Sequence, residues 1–308
     1  MCTLVRQLRV LACIGLALLP GLACAADGPT TSRTLAKLRS SGVITLGHRT
    51  TLVPFSFVDA QMQPTGYSVE ICRRVVDALR RQPGLEHLET RFLTVTSGTR
   101  MALVANGSVD MECGATTNTF ERQRNVNFSL TYFVAESRIL SKRDDVVDDV
   151  DSLRGRSVAS TIGTTSIQFL HQVNGSQDLK MRILGGLDDV DSFRLLETGQ
   201  ASAYVMDDSL LRGQLVGARN PGQYAISSQA LSVEPYGLVL PFADPTFKRL
   251  VDDALRELFA SGELRRIYER WFQRPLPVRG VNLQMPMSAA LQRALIQPTD
   301  SASPEHYR

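Results

Sequence analysis

Hydrophobic and polar positions change their period from segment to segment along this chain. From Gly42 onward, short runs of β-branched and apolar residues alternate with amphipathic segments, joined by connections rich in Gly, Pro, Ser and Asp. Four apolar residues at the spacing of one helix face predict a helix: Ile71, Val75, Val76 and Leu79. Around it, the pattern predicts strands at 43–46, 90–95 and 109–113 and a short helix at 99–105. This alternation indicates an α/β fold.

A second series of the same kind surrounds an acidic loop. A strand at 134–140 precedes the loop, which contains five neighbouring aspartates: Asp144, Asp145, Asp148, Asp149 and Asp151. Because the loop lacks the Gly and the terminal Glu of an EF-hand, a solvated turn explains it better than a calcium site. Beyond the loop, the pattern predicts strands at 157–160, 181–184 and 203–206 and helices at 165–171 and 191–197. We therefore expect a second sheet.

The last part of the chain is too short to form a domain of its own. It offers one predicted strand at 236–240 and helices at 245–259 and 263–272, followed by a Pro-rich tail that we expect to wrap the surface. These elements are expected to return and complete the first unit, so that the chain crosses twice between two lobes. Two crossings create a hinge and a cleft, and clefts between domains commonly hold small ligands.

The first 25 residues have the features of an export signal. Arg6 and Arg9 precede an apolar run at 10–19, and small residues surround Cys24. The run is too short to span a bilayer, and residues 1–25 are predicted to be a signal peptide that directs the chain to the periplasm. An acylated Cys24 is the alternative, although Gly21 stands where a lipobox normally has Leu.

Charge and length narrow the class of protein. The chain has 34 Lys and Arg against 31 Asp and Glu, and removing Arg6 and Arg9 with the leader leaves 32 against 31, a balance of +1. No basic stripe with interleaved aromatic residues is present, so nucleic acid is not an expected partner. About 280 mature residues favour two domains.

Two cysteines remain once the leader is removed. Cys72 and Cys113 form an even pair in an oxidising compartment, which makes a disulfide plausible, and two buried free thiols are the alternative. Their separation is too wide for a CxxC redox motif or a zinc knuckle.

Nine sequence blocks follow one another between about residues 35 and 277. They are SGVITLGHR ending at 49, PFSF at 54–57, GYSVEICRRVVDAL from 66, TSGTR at 96–100, GSVDMECGATTNTFERQ at 107–123, GTTS at 163–166, DSFRLLETGQASAYVMDD at 191–208, EPYGLVL at 234–240 and SGELRRIYERWF at 261–272. In this order they resemble the periplasmic solute-binding proteins of polar amino-acid ABC transporters, and above all their glutamate/aspartate-binding branch.

The resemblance implies a two-lobed periplasmic-binding fold of type II, in which each lobe is a central sheet flanked by helices and the ligand lies in the cleft between them. We expect lobe one to comprise 26–133 plus 236–280, lobe two to comprise 134–235 with hinge segments at its ends, and 281–308 to form a C-terminal extension. The implied partners are a small amino-acid ligand and an inner-membrane ABC permease. We expect a monomer with no cofactor and no bound metal, and a disulfide within lobe one.

The resemblance also assigns roles around the ligand's α-carbon. Arg122 is expected to take the α-carboxylate, because a guanidinium holds a carboxylate through two hydrogen bonds. The helix opening at Thr165 would add backbone N–H groups and its hydroxyl. Asp207 matches the aspartate that binds the ammonium, with Thr117 and the carbonyl of Ala115 beside it. Most relatives have Ser at the position of Ala115, so we expect a loss of about 1 kcal/mol of affinity.

Two further arginines match those that bind the distal carboxylate in the glutamate/aspartate branch. These are Arg49 and Arg100, with Ser97 nearby, and two guanidiniums in a cleft imply an anionic ligand side chain. The sequence departs from the branch at Asp189, where a His is usual. Asp189 would either hold an arginine in place for a dicarboxylate or neutralise it and shift the preference to glutamine or asparagine.

An enzyme of the same fold is the alternative class. A periplasmic dehydratase of the cyclohexadienyl type shares the architecture, and fold alone does not fix function. Such chemistry needs a proton donor or acceptor in the cleft, and no matched cleft position supplies His, Glu or Lys, although Asp189 and Asp207 are carboxylates. We therefore expect binding without catalysis.

Overall fold

Two separate sheets organise the part of the chain that this computed structural model describes, residues 32–277 and 280–307. The predicted leader at 1–25 lies outside those residues. In spatial order, the first sheet contains β5 (Glu89–Thr94), β1 (Val43–His48), β6 (Met111–Glu112), β14 (Val239–Pro241) and β7 (Val126–Phe128). The second contains β10 (Arg182–Gly186), β9 (Ser157–Thr161), β11 (Ala203–Asp207), β8 (Phe133–Lys142) and β12 (Tyr224–Ile226), and β13 (Ser232–Tyr236) also pairs with β8. A small third sheet contains β2 (Thr51–Leu52), β3 (Ser56–Val58) and β4 (Pro64–Thr65).

Helices alternate with these strands along the chain. They are α1 (Arg33–Ser41), α2 (Tyr67–Leu79), α3 (Arg100–Ala105), α4 (Thr165–Ser176), α5 (Asp189–Glu197), α6 (Asp208–Gly217), α7 (Pro245–Ala260), α8 (Glu263–Tyr268) and α9 (Ala289–Ile296). The predicted apolar face of α2 is confirmed, since its four residues are at most 1% exposed. Burying such a face is what holds an amphipathic helix on a sheet. The two-lobed α/β architecture is therefore as expected, and we call the units around the first and second sheets lobe one and lobe two.

Each lobe contains a point where the strand order reverses. In the first sheet β1 pairs in parallel with β5 on one side and with β6 on the other. In the second sheet β9 pairs in parallel with β10 and with β11. Ligands of open α/β sheets bind beyond the carboxyl ends of the strands at such points. We therefore expect the ligand site at the loops that follow β1, β5, β6, β9, β10 and β11.

The chain crosses between the sheets twice, and the two crossings lie side by side. The first runs from β7 into β8, and the second runs from β13 into β14. Phe133 and Tyr236 are register partners in β8 and β13, and their rings stack with centroids 5.5 Å apart. The predicted continuous strand at 236–240 is therefore wrong. Tyr236 ends a strand of lobe two and Val239 begins one of lobe one, because the crossing lies between them.

Other elements also differ from the sequence prediction, and those that were not predicted include α1, β2, β3, β4, β7, β12 and β13. Helix α6 follows β11 directly and was not predicted. The predicted helix at 263–272 changes after Tyr268 into a π-helical turn, Glu269–Gln273, which buries Trp271 and Phe272. The tail contains α9 and is anchored near the crossings, where the carbonyl of Thr299 accepts a hydrogen bond from the Thr131 amide at 2.8 Å. In the described residues no helix is both long and apolar enough to cross a membrane.

Candidate functional site

A cavity lies where the carboxyl ends of the two sheets face each other. It is lined from lobe one by Arg49, Leu52, Ser97, Arg100, Ala115 and Thr117, and from lobe two by Thr164, Thr165, Asp189, Met206, Asp207 and Leu210. Its volume is about 10 Å³, which is room for about one water molecule. An amino acid needs more space, so the lobes must part before it enters.

The lobe-one wall carries two buried guanidiniums. Arg49 directly follows β1, and its Nη1 donates to Ser97 Oγ at 2.8 Å, while Arg100 Nη1 donates to the carbonyl of Ala115 at 3.1 Å. Within the described chain, Arg100 Nε is buried and has no hydrogen-bond partner. Burial, with the neighbouring charges of Arg122 and Arg49, lowers the pKa of Arg100 to about 9, so it stays protonated at neutral pH. The wall therefore presents positive charge and an unused donor.

Arg122 joins the two lobes through two hydrogen bonds. Its Nη1 donates to the carbonyl of Thr117 at 2.8 Å, and its Nη2 reaches across the cleft to the carbonyl of Gly163 at 3.2 Å. Burial lowers its pKa, and the carboxylates of Glu234 and Asp207 oppose that effect. Arg122 is thus already placed at the amino end of α4.

The start of α4 packs closely on lobe one. Gly163 has φ +82°, and a Cβ there would lie 2.7 Å from the backbone carbon of Ser97. The Thr164 side chain caps the helix by accepting from the Ile167 amide at 3.3 Å. The Thr165 hydroxyl donates to Glu234 Oε2 at 2.8 Å instead of pointing freely into the cavity. Backbone N–H groups at this helix end are what an anionic group would meet.

Asp207, at the end of β11, supplies a buried carboxyl group to the opposite wall. Its Oδ2 accepts from the hydroxyl of Tyr236, and its Oδ1 is buried with no partner among the residues described. Burial and the nearby charge of Glu234 raise the pKa of Asp207 well above its usual range, and the hydrogen bond from Tyr236 partly offsets them. An unpaired carboxyl oxygen of Asp207 and an unpaired N–H donor of Arg100 therefore belong to residues that line the same cavity.

Asp189 opens α5 and is held from within lobe two. Its Oδ1 accepts from Thr161 Oγ1 at 2.6 Å, and the residue is only 1% exposed. Asp188 caps the helix by accepting from the Asp191 amide at 2.9 Å, which fixes the turn that points Asp189 into the cavity. Asp189 thus lines the site.

The structure gathers all of the sequence-predicted site residues in one place. Eight of the nine line the cavity, and Arg122 bonds to Thr117 at its edge. Sequence reasoning missed the cavity-lining residues Leu52, Thr164, Met206 and Leu210, and also Glu112 and Glu234 beside them. Thr164, Met206, Glu112 and Glu234 lie inside the sequence blocks that carry the resemblance, which is a signal that could have found them.

The predicted disulfide is present. Cys72 on α2 and Cys113, which directly follows β6, are bonded with their Cα atoms 6.2 Å apart. Both belong to lobe one, so the bond does not cross the hinge.

The fold and the cavity together define a two-lobed binding protein of the periplasmic type. The description "Bacterial extracellular solute-binding proteins, family 3" matches residues 44–274, and the chain belongs to this family. It is 41% identical over 271 residues to an "L-glutamate/L-aspartate-binding protein" of Pseudomonas aeruginosa, covering 88% of this chain and 90% of that protein. It is 39% identical over 299 residues to a "Glutamate/aspartate import solute-binding protein" of Salmonella typhimurium, covering 96% of this chain and 99% of that protein.

Solved structures agree on the architecture. A mutant of the arginine-binding protein ArgBP from T. maritima superposes with a TM-score of 0.70 at 26% identity, covering 78% of this chain and 99% of that one. The ancestral amino acid-binding protein AncCDT-1, "a precursor of cyclohexadienyl dehydratase", gives a TM-score of 0.66 at 23% identity, covering 77% and 99%. At that identity the second likeness shows the fold alone, whereas the relatives at about 40% identity are transport proteins.

Proposed function

We propose that this protein captures an acidic amino acid, glutamate or aspartate, in the periplasm and delivers it to the membrane permease of an ABC importer. The observation that carries the proposal is a pair of unused buried groups of opposite character on facing walls of one cavity, Arg100 Nε and Asp207 Oδ1. Buried polar groups are normally paired, so such orphans indicate a ligand that brings an acceptor to one and a donor to the other.

An acidic amino acid satisfies both ends of the cavity. Its ammonium pairs with Asp207 Oδ1, with the hydroxyl of Thr117 beside it. Its α-carboxylate takes the place of the Gly163 carbonyl on Arg122 and meets the backbone N–H groups that open α4. Its side-chain carboxylate lies between Arg49 and Arg100. A neutral side chain would leave these two guanidiniums without an added anion, and unpaired buried charge is expensive.

Ligand capture couples to lobe closure. The groups for the α-carboxylate come from both lobes, Arg122 from lobe one and the start of α4 from lobe two. The closed state therefore offers more contacts to the ligand than either lobe alone, and this difference in affinity drives closure. Because the cavity is small when closed, release requires the lobes to part again.

Binding rather than catalysis suits the groups in the cavity. Its ionisable lining residues are two arginines and two aspartates, and each aspartate already has a hydrogen-bonding partner, Thr161 or Tyr236. The leader predicted at 1–25 and the import function of relatives support the periplasmic location and the permease as partner.

The test is isothermal titration calorimetry of the mature chain, freed of ligand by unfolding and refolding. Glutamate, aspartate, glutamine, asparagine and arginine are titrated in turn. We expect one-to-one binding of glutamate or aspartate, weakened about 10- to 100-fold by Arg100→Ala, since a hydrogen bond to a charged group contributes about 1.5–3 kcal/mol. Arg91→Ala, which removes an exposed arginine of β5, is the matched control and should change nothing.

Either of two other outcomes would reject the assignment. Binding of only a neutral or basic amino acid would mean that Asp189 has changed the pocket. The absence of a binding signal for all five amino acids would favour the dehydratase hypothesis.

A further inference from the structure

Glu112 is a buried acid that the proposed contacts do not use. It ends β6, is only 1% exposed, and its Oε2 accepts from Thr116 Oγ1 at 2.8 Å. Within the described residues its Oε1 has no hydrogen-bond partner. A half-satisfied buried carboxylate is costly, and it calls for a compensating positive charge.

The carboxylate of Glu112 lies behind the arginines of the cavity. Glu112 is the register partner of Gly47, two residues before Arg49. A Cβ built on Gly114 would lie 2.1 Å from Glu112 Oε1 and 3.6 Å from Arg49 Cγ, so the acid and the arginine stem flank the same point. Glu112 also counteracts the lowering of the pKa of Arg100. Gly114 thus leaves the space that Glu112 Oε1 occupies beside the side-chain stem of Arg49.

With Glu112 included, the net positive charge of lobe one equals the number of carboxylates on an acidic amino acid. Arg49 and Arg100 in the wall and Arg122 at the edge of the cavity give lobe one three positive charges, and Glu112 subtracts one. The remaining two equal the two carboxylates of glutamate or aspartate. Asp207 and Asp189 are not counted here, because they belong to lobe two and come close to this wall only when the lobes meet.

We propose that Glu112 is a specificity-setting residue that acts through the arginines: its buried carboxylate offsets one guanidinium, so that lobe one presents a net charge of two to its ligand. This inference rests on the proposed function. Without Glu112, lobe one would present three positive charges to the ligand instead of two. The affinity for a ligand with a neutral side chain would then fall relative to the affinity for one with an acidic side chain.

The experiment measures discrimination between glutamate and glutamine, which differ in charge and hardly in shape. Glu112→Gln removes the charge and keeps the shape. We expect the ratio of the Kd for glutamine to the Kd for glutamate to rise about tenfold, equivalent to about 1.4 kcal/mol. Kd values come from calorimetric titration, or from displacement of glutamate where glutamine binds weakly.

Two control variants separate charge from packing. Asp110 is a buried acid preceding the same strand, and it is paired with Lys37 at 2.7 Å and with the Thr45 amide at 2.8 Å, away from the cavity. Asp110→Asn should lower stability and leave the ratio unchanged. Thr116→Val removes the hydrogen bond to Glu112 but not its charge, and should likewise leave the ratio unchanged.

The proposal is overturned if the ratio of the Kd for glutamine to the Kd for glutamate is the same in Glu112→Gln as in the wild-type chain. It is also overturned if Thr116→Val changes this ratio as much as Glu112→Gln does. If Glu112→Gln does not fold, Glu112→Ala and Glu112→Met replace it with the same expectation. Failure of all three to fold while Asp110→Asn folds would make Glu112 structural and would also overturn the proposal. The proposed function fails separately, when the wild-type chain binds no acidic amino acid.

Discussion

Reduction of the Cys72–Cys113 disulfide should destabilise lobe one by about 4 kcal/mol. The two cysteines are 41 residues apart in the chain, and both are fully buried. Closing a loop of that length removes about 13 cal/mol/K of entropy from the unfolded chain, which corresponds to about 4 kcal/mol at 25 °C. The bond joins α2 to the end of β6, so the unit that loses stability is lobe one. This lobe carries the arginine wall, the side of the cavity formed by Arg49 and Arg100.

Denaturant unfolding followed by tryptophan fluorescence is the appropriate assay. The chain has one tryptophan, and Trp271 Nε1 donates to Glu70 Oε2 at 2.7 Å on α2, the helix that carries Cys72. The signal therefore reports on the bonded part of lobe one. The mature chain is compared with and without reductant, and a Cys72→Ala/Cys113→Ala variant shows the effect without added thiol.

Unchanged unfolding midpoints after complete reduction would refute this reasoning. The preference among amino acids should stay the same in the reduced protein, because neither cysteine lines the cavity. A reversal of that preference on reduction would show that the bond positions the arginine wall as well as stabilising it.

Two further predictions concern closure and protonation. Gly213 lies in α6, and a Cβ there would meet the Val53 carbonyl oxygen of lobe one at 2.0 Å, so Gly213→Ala should weaken glutamate binding at least tenfold by obstructing closure while thermal stability holds or rises. Gly175→Ala in α4, where a Cβ meets nothing within 4 Å, is the matched control, and equal Kd values for the two variants would contradict the prediction. Burial raises the pKa of Asp207, and an ammonium pairs with the ionised carboxylate, so affinity should fall, by up to tenfold per pH unit, as pH drops below that raised pKa. Titrations between about pH 5.5 and 8 test this, and an equal slope in Asp207→Asn would rule out Asp207 as the cause. The same shift makes the contribution of Asp207 to ligand-free stability greatest below the ordinary pKa of aspartate, near 4, and progressively smaller as pH rises through the raised pKa.

The periodicity of the sequence was enough to predict the fold class and most elements, because each amphipathic face packs where its pattern requires. It failed at 236–240, since four of these five residues are apolar and suit a strand, but the crossing lies between Tyr236 and Val239 and divides them between two sheets. It also missed α6, in which Gly213 and Gly217 lower helix propensity and the helix starts directly after a strand.

The candidate site was predictable only in part, since the sequence blocks identify charged residues but not their partners. The hydroxyl of Thr165 was expected to support the ligand, yet it bonds to Glu234. A glutamate in a short strand is ordinarily taken as exposed, so nothing in the pattern marks Glu112 as a buried neighbour of arginines. Such pairings become visible only when strands distant in sequence are placed side by side.

The position of β14 has a consequence for the order in which the protein matures. This strand lies between β6 and β7 in the first sheet, although it follows them by more than a hundred residues. The second sheet, in contrast, uses one continuous stretch, residues 133–236. As the chain emerges from its N-terminus during synthesis, lobe two can therefore finish while lobe one still lacks a central strand. Lobe one contains the first strands to be synthesised, yet it is completed last. The edge of its sheet stays unpaired until β14, which begins at residue 239, has emerged.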